Sequence, residues 1–207
     1  MFKSLASALT LSALLAAPTA SHAVIYSFNA SLASFKEVFP AVSNATATGT
    51  AILDYDDKGT LTLADDMYNF SMSVFGLTGG TVAGTAASAY HIHGAANTAE
   101  NGPVRVGLDG TPFVSLNAGS TLLVGGNNVV APTMLFSNGA YSNLSFLQML
   151  RAGLTYVNVH TASNPMGAVR GQLIEVTVVP EPATYALWLA GLGVVGLMWR
   201  RQRPAQG

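Results

Sequence analysis

Short segments in which apolar and polar residues alternate recur along most of this chain. In Tyr68–Phe75, for example, Tyr68, Phe70, Met72 and Val74 would lie on one side of a strand. Connections rich in glycine and asparagine separate these segments, a pattern typical of antiparallel sandwiches and barrels. We therefore expect a mainly β fold, an antiparallel Greek-key-like sandwich or barrel. The predicted strands are Val24–Leu32, Thr46–Tyr55, Thr60–Leu63, Tyr68–Phe75, Ala89–His93, Val104–Leu108, Thr121–Val124, Leu154–His160 and Ala168–Val178.

One segment of the body follows a helical pattern instead. Ser142–Gly153 contains potential capping serines, has apolar residues at helical spacing and ends on a glycine. It predicts a short helix of about two to three turns. We expect this helix to cover an open end or an edge of the sheet.

The N-terminus has the three parts of a secretory signal peptide. Lys3 supplies positive charge, Leu5–Ala17 is apolar, and Ser21-His22-Ala23 is a small-x-small cleavage site. We expect residues 1–23 to be removed after Ala23 and the rest of the chain to be exported.

The C-terminus combines a short motif, an apolar run and a basic cluster. The 17 residues Ala183–Trp199 contain no charged residue, and as a helix they would span roughly 25 Å, enough for a thin bilayer. Positive charge beside such a span marks its cytoplasmic end. The flanking residues are Pro180, Glu181 and Pro182 before the run and Arg200, Arg201 and Arg203 after it.

This tail resembles the PEP-CTERM sorting signal of Gram-negative bacteria. The resemblance implies recognition by an exosortase, a membrane transpeptidase-like enzyme, and cleavage near the Pro-Glu-Pro triplet. An ordinary C-terminal membrane anchor is the alternative interpretation. The chain thus divides into a signal peptide (1–23), a β-domain (24–179) and a sorting tail (180–207), with a transmembrane helix predicted at 183–199.

The composition of the β-domain excludes several functional classes. Residues 24–179 contain five lysines and arginines against nine aspartates and glutamates, a formal charge of −4. This balance argues against nucleic-acid binding, which needs a basic surface. The chain contains no cysteine, which excludes thiol nucleophiles, disulfides and thiolate metal sites.

The β-domain contains three histidines, His91, His93 and His160. His91 and His93 would share one face of a strand, and pairing with the strand that contains His160 would gather all three into one patch. With the apolar neighbours facing the core, we expect this patch on the outer surface. Three neutral imidazoles suit copper, zinc or nickel and would leave a coordination position open.

A structural role for these histidines is the alternative. They would then bind loop carbonyls or pair with Asn158 and Arg170, both potential edges of the site. Arg170 itself follows a predicted turn, and two interpretations stay open for it. It either lies at the edge of a pocket beside the histidines or is partly buried against carbonyls or a carboxylate such as Asp109.

Several motifs match a known family in the correct order. They are Tyr90-His91-Ile92-His93-Gly94, Asn101-Gly102-Pro103-Val104, Tyr156-Val157-Asn158-Val159-His160-Thr161 and Asn164-Pro165-Met166-Gly167-Ala168-Val169-Arg170-Gly171-Gln172-Leu173. Together they resemble the CHRD domain, with a resemblance that spans about residues 25–178. The family usually has an acidic residue where Ala168 stands. The resemblance implies a secreted module, and it does not imply any enzyme activity.

These observations lead to two functional hypotheses. The first is an exported domain with a structural or interaction role, held in the inner membrane during sorting and then placed in the envelope or extracellular matrix. Its expected partners are an exosortase-type enzyme and exopolysaccharide or other matrix components. The second is a mononuclear metal-binding module or metalloenzyme that uses the three histidines to hold copper or zinc.

Overall fold

The computed structural model describes residues 22–80, 82, 89–176 and 192. The chain divides into two compact units, residues 1–175 and residues 176–207. The predicted signal peptide, transmembrane helix and sorting motif lie almost entirely outside the described ranges. Within those ranges, no helix is both long and apolar enough to cross a membrane.

The described part of the chain is mainly β, as predicted. Its strands are β1 (Ile25–Ala33), β2 (Thr48–Asp56), β3 (Met67–Phe75), β4 (Tyr90–Gly94), β5 (Val104–Gly107), β6 (Val114–Ala118), β7 (Thr121–Val130), β8 (Phe136–Asn138), β9 (Tyr141–Leu144), β10 (Thr155–Thr161), β11 (Asn164–Gln172) and β12 (Ile174–Val176). A 3₁₀ turn at Ser34–Lys36 follows β1, and one α-helix, α1, covers Phe146–Arg151.

Ten of these strands form one curled antiparallel sheet. The order is β5-β4-β10-β11-β1-β2-β3-β7-β6, with β12 beside β1, while β8 and β9 form a separate pair. A half-barrel of this kind replaces the expected two-sheet sandwich or closed barrel. The order places β10 between β4 and β11, so the strands that contain the three histidines are direct neighbours.

The apolar face of the sheet forms the core. Strands β2 and β3 pair without interruption from Thr48 opposite Phe75 to Asp56 opposite Met67. As predicted, Tyr68, Phe70 and Met72 lie on the buried face. Residues between them are partly or fully exposed. This alternation is the period-2 pattern of a sheet that is buried on one side.

One predicted strand is absent, and three observed strands, β6, β8 and β9, had no predicted counterpart. The Thr-rich segment Thr60–Leu63 is not a strand but part of the turn between β2 and β3. Leu61 is exposed and the Thr60 hydroxyl bonds the Asp65 carboxylate, so local polar contacts replace strand pairing. Strand β6 was not predicted, because all five of its residues are exposed and it lies at an edge of the sheet.

Helix α1 is shorter than the predicted segment. It starts at Phe146 because Ser145 is its N-cap, with a capping box that joins Ser145 and Gln148. The residues before the cap belong to β9 instead. Phe146 is fully buried and packs 6.3 Å from the ring centroid of Tyr55 and 5.7 Å from that of Tyr68. The helix therefore contributes to the core over β2 and β3.

Candidate functional site

The register of three strands builds a row of polar side chains on the outer face of the sheet. Asn158 of β10 lies opposite His91 of β4 on one side and opposite Arg170 of β11 on the other. Tyr156, two residues earlier on β10, lies opposite His93 in the same way. Residues that are opposite each other share a face, so these side chains project together.

The three histidines come together on this face. Each offers a ring nitrogen, and the three nitrogens lie within 4.8 Å of one another. The Nε2 atoms of His91 and His160 are 2.9 Å apart. The ring centroids of His91 and His93 are 4.4 Å apart. The structure thus forms the cluster that strand pairing predicts.

The expected exposure of this cluster is wrong. His91 is 1% exposed and His160 is 4% exposed, and every residue of β10 is buried on both faces. Backbone covers the outer face here: Gly102, between β4 and β5, and Pro165, at the start of β11, each place a carbonyl against a histidine. His93 is partly buried, so the cluster lies mostly in the interior and not on the surface.

Backbone carbonyls fix the orientation of two of the rings. The Nδ1 atom of His160 lies 2.9 Å from the Pro165 carbonyl oxygen, and Nδ1 of His93 lies 2.6 Å from that of Gly102. A carbonyl only accepts hydrogen bonds, so each Nδ1–H donates and each neutral ring keeps its lone pair on Nε2. The structural alternative expects these carbonyl contacts, and metal-binding histidines are also commonly held in this way.

One of these lone pairs has no partner. Among the described residues, no group hydrogen-bonds the buried Nε2 atom of His93. Buried polar atoms without partners are rare, and each indicates a cost or a function. A bound cation would satisfy this nitrogen.

The electrostatic environment favours neutral imidazoles. Burial lowers the pKa of His93 to about 4, although the hydrogen bond to the Gly102 carbonyl opposes this shift. Burial also lowers the pKa of His160, against the opposing bond to Pro165. Neutral imidazole is the form that binds transition metals, so both rings are in the binding form at neutral pH.

The spacing is close to that of a metal centre. With zinc–nitrogen bonds of about 2.0–2.1 Å, two ligand nitrogens lie roughly 2.9–3.4 Å apart at bond angles of about 90–110°. The Nε2 atoms of His91 and His160 lie 2.9 Å apart and form a hydrogen bond, a separation that also falls in this range, so an ion bound to both would replace that hydrogen bond. The full set spans up to 4.8 Å, so binding would draw the rings slightly closer together.

Tyr156 holds His93 in place. Its ring stacks on the His93 imidazole at a centroid distance of 4.6 Å and an interplanar angle of 4°. The guanidinium carbon of Arg170 lies 3.5 Å from the centroid of the same ring. Since β10 lies between the other two strands, His93 and Arg170 approach Tyr156 from opposite sides, and the three groups stack.

Arg170 is buried and hydrogen-bonded, with only 2% of its surface exposed. Its guanidinium donates to the Asn97 carbonyl at 2.9 Å and to the Asn101 side chain at 3.1 Å. Arg170 is thus held by a carbonyl, as one interpretation expects, and it also contacts the Tyr156 ring that stacks on His93. The suggested carboxylate, Asp109, accepts a hydrogen bond from the Ala89 backbone instead.

Glu37 is part of this region, although nothing in the sequence indicated it. Its Oε2 atom lies 3.5 Å from Nδ2 of Asn158, a residue 121 positions away. Gly167 makes room for it, because a Cβ atom there would lie 2.5 Å from Glu37 Oε2. Burial raises the pKa of Glu37 to about 7, against the opposing charge of Arg170 and the Asn158 hydrogen bond.

The sorting residues cannot be placed in the same way. Pro180, Glu181, Pro182, Arg200, Arg201 and Arg203 all lie outside the described residues.

Comparison with known proteins gives two matches of different kinds. A family model described as the CHRD domain matches residues 28–173. A second model, described as the PEP-CTERM protein-sorting motif, matches residues 178–202. Searches of curated proteins and of solved structures find no match.

Proposed function

Because the chain belongs to the CHRD domain family, we propose that it is an exported module whose β-domain binds one transition-metal ion through His91, His93 and His160. The sorting motif at residues 178–202 supports export and membrane-associated sorting. The family match covers every strand that contributes to the histidine cluster.

The proposed route has three steps. The signal peptide, residues 1–23, directs export and is removed. The apolar segment 183–199 then holds the chain in the inner membrane while an exosortase-type enzyme processes the tail near Pro180–Pro182. The β-domain is finally retained in the cell envelope or the extracellular matrix, where it contacts exopolysaccharide or other matrix components.

Intact mass spectrometry of the mature protein tests this route. We expect an N-terminus at Val24 and a C-terminus near the Pro-Glu-Pro triplet. Replacing Pro180, Glu181 and Pro182 by alanine should leave the tail attached and the protein in the membrane fraction. A mature protein that keeps Arg203 without any substitution would identify the tail as a permanent anchor.

One observation supports the metal site above the others. Two histidines have their Nδ1 atoms held by backbone carbonyls, while the ring nitrogens of all three converge within 4.8 Å. Copper and zinc fit this donor set, since both accept neutral imidazole. Three protein ligands would leave one coordination position for water or another small ligand. Asn158 and Arg170 border the site without ligating the ion, and we assign them no catalytic step.

Calorimetric titration of the full chain with Cu²⁺ and with Zn²⁺ tests metal binding. We expect one ion per chain, bound at micromolar affinity or tighter, and loss of binding in the His91→Ala/His93→Ala/His160→Ala variant. Asp56→Ala/Asp57→Ala is the matched control, because it removes two partly exposed carboxylates that could hold a cation without specificity. Binding weaker than about millimolar would exclude the site.

The same variant distinguishes a structural role of the histidines. Circular dichroism should show the triple variant folded in the absence of metal. If it unfolds in metal-free buffer, while the unchanged protein neither binds metal nor loses stability with a chelator, the histidines stabilise the loops. The chain would then be an exported domain with a structural or interaction role alone.

A further inference from the structure

A second feature of the outer face lies beside the histidine cluster. A groove with a volume of about 550 Å³ runs between β1, the segment that follows it, and β11. Its wall includes Asn29 and Ser31 of β1, Phe35 and Glu37 of the following segment, and Gln172 of β11. This volume falls within the range of small-ligand sites. None of the three histidines lines it.

Most of the groove's surface is apolar, and a few neutral polar groups interrupt it. Asn29, Ser31 and Thr98 contribute an amide and two hydroxyls, while the Gln172 amide already donates to the Ala96 and Gly153 carbonyls. Such groups both donate and accept hydrogen bonds. They suit a ligand with many hydroxyl groups better than a strongly charged one.

Two charged residues, Arg170 and Glu37, lie at the base of the groove and differ in how many of their polar atoms are already hydrogen-bonded. Arg170 lies at the base, but its guanidinium already donates to the Asn97 carbonyl and the Asn101 side chain. Glu37 differs, because its Oε1 atom is buried and no residue in the described ranges hydrogen-bonds it. Leaving a buried acceptor unsatisfied costs free energy. Since Glu37 lines the groove, a ligand that donates a hydrogen bond would remove this cost once the carboxyl turned toward it.

The rim supplies an apolar surface. Phe35 lines the groove and is 84% exposed, and Ile174 on the other side is 53% exposed. An aromatic ring this exposed gains free energy when a ligand covers it. The C–H face of a sugar ring is apolar while its hydroxyls point outward, so a sugar matches both the rim and the wall.

We propose that this groove binds a neutral oligosaccharide. One sugar ring stacks on Phe35, a hydroxyl donates to the Glu37 carboxyl as it turns into the groove, and further hydroxyls bond Asn29, Ser31 and Thr98. A peptide added as an extra strand is disfavoured, because β1 and β11 both lie inside the sheet and present no free edge. An acidic glycan is disfavoured because it would approach the Glu37 carboxyl, while the arginine donors are occupied and Lys36, the other cation of the wall, already donates to the Ser31 carbonyl.

This proposal is independent of the metal site. The groove and the histidine cluster border each other through Arg170, but no metal ligand lines the groove. Sugar binding should therefore persist in the triple histidine variant, and metal binding should persist when the groove is changed.

Calorimetric titration of the full chain with cellohexaose, maltohexaose and chitohexaose tests the groove, with oligogalacturonate as the acidic comparison. We expect a dissociation constant below about 1 mM for at least one neutral probe. Phe35→Ala should weaken that binding at least tenfold, and Asn29→Ala, which changes an exposed amide of the wall, should weaken it severalfold. Circular dichroism checks that each variant is folded.

Phe39→Ala provides the matched control. Phe39 is 83% exposed, nearly as much as Phe35, but it does not line the groove. Its variant should bind the sugar within twofold of the unchanged protein. Equal losses in the two phenylalanine variants, tighter binding of oligogalacturonate, or no binding of any neutral probe up to about 10 mM would each overturn the proposal.

Discussion

The outer face of the sheet is exposed around β3 and covered around β10. In β3, buried core residues alternate with partly or fully exposed ones, so one face packs and the other meets water. In β10, all seven residues are buried, although Asn158 and His160 are polar. A domain can be stable with a sheet that is covered on one side only. Stability of the sheet alone therefore does not require the second covering layer over β10.

Covering the outer face of β10 also costs free energy, because it buries polar and titratable groups. Desolvation lowers the pKa of His93 and raises that of Glu37. Buried polar atoms of His93, Glu37 and Asn158 have no hydrogen-bond partner in the described part of the chain. Such costs concentrate at sites with a function. The comparison predicts that changes on the core face mainly alter stability, while changes under the loops alter binding or pH dependence.

The largest expected effect is on the core face. Phe146→Ala should lower the free energy of unfolding by about 3–5 kcal/mol, because it removes a fully buried ring between Tyr55 and Tyr68. Chemical denaturation monitored by circular dichroism measures this. Phe75→Ala on the outer face of β3, where the ring is 53% exposed, should cost about 1 kcal/mol or less. Similar losses in the two variants would contradict the division between the faces.

The sequence predicts the core face well and the outer face of β10 poorly. Alternation identifies Tyr68, Phe70 and Met72 as core because the signal is local. The backbone contacts of His93 with Gly102 and of His160 with Pro165 follow no such pattern. Glu37 reaches Asn158 across 121 residues, and no periodic pattern encodes that contact.

The sequence predicts that the three histidines cluster, but it predicts neither their burial nor their hydrogen-bond partners. Two-residue spacing places His91 and His93 on one face, and similar strand patterns suggest that His160 joins them. The carbonyls of Gly102 and Pro165, which fix the ring orientations, are backbone atoms and leave no signature in residue type. The failed strand at Thr60–Leu63 shows the converse, since β-branched residues there form local polar turns.

The second prediction concerns metal binding under the covering loops. A metal at one hundred times its dissociation constant should stabilise the full chain by about 2.7 kcal/mol. Thermal unfolding with and without the chelator EDTA measures the gain, and His160→Ala should abolish it. Asn69→Ala, on the exposed face of β3, should keep it. A gain that survives in the His160 variant would exclude the cluster as its source.

The third prediction concerns the acid under the loops. Glu37 has a folded-state pKa of about 7 against an ordinary value of 4.5, so the folded chain binds this proton more tightly than the unfolded chain. Stability should therefore fall as the pH rises from about 4.5 to about 7. A shift of this size corresponds to about 3 kcal/mol, and solvent around the partly exposed side chain reduces it to on the order of 2 kcal/mol.

Glu37→Gln removes this titration. The variant should lose the decline of stability between pH 4.5 and 7 and should be the more stable protein at pH 8. Unfolding by urea at a series of pH values measures both effects. Asp65→Asn is the matched control, since that carboxylate lies in the exposed turn with Thr60. If the stability of the unchanged protein and of the Glu37 variant depends on pH in the same way, burial of Glu37 has no electrostatic cost. The covered half of the sheet would then lack this difference from the open half.

The smallest effect is expected on the open half of the sheet. Ile52 lies on the outer face of β2 and is 43% exposed, between two well-paired neighbouring strands. Ile52→Thr keeps a β-branched side chain and should change the free energy of unfolding by no more than about 0.5 kcal/mol. Val159→Thr makes a comparable change on the core face of β10, where the side chain is fully buried, and should cost at least about 1 kcal/mol because its hydroxyl would lack a partner. If denaturation shows a large loss for Ile52→Thr, the outer face of β2 is itself covered by part of the chain or by a second molecule, and the contrast between the two halves fails.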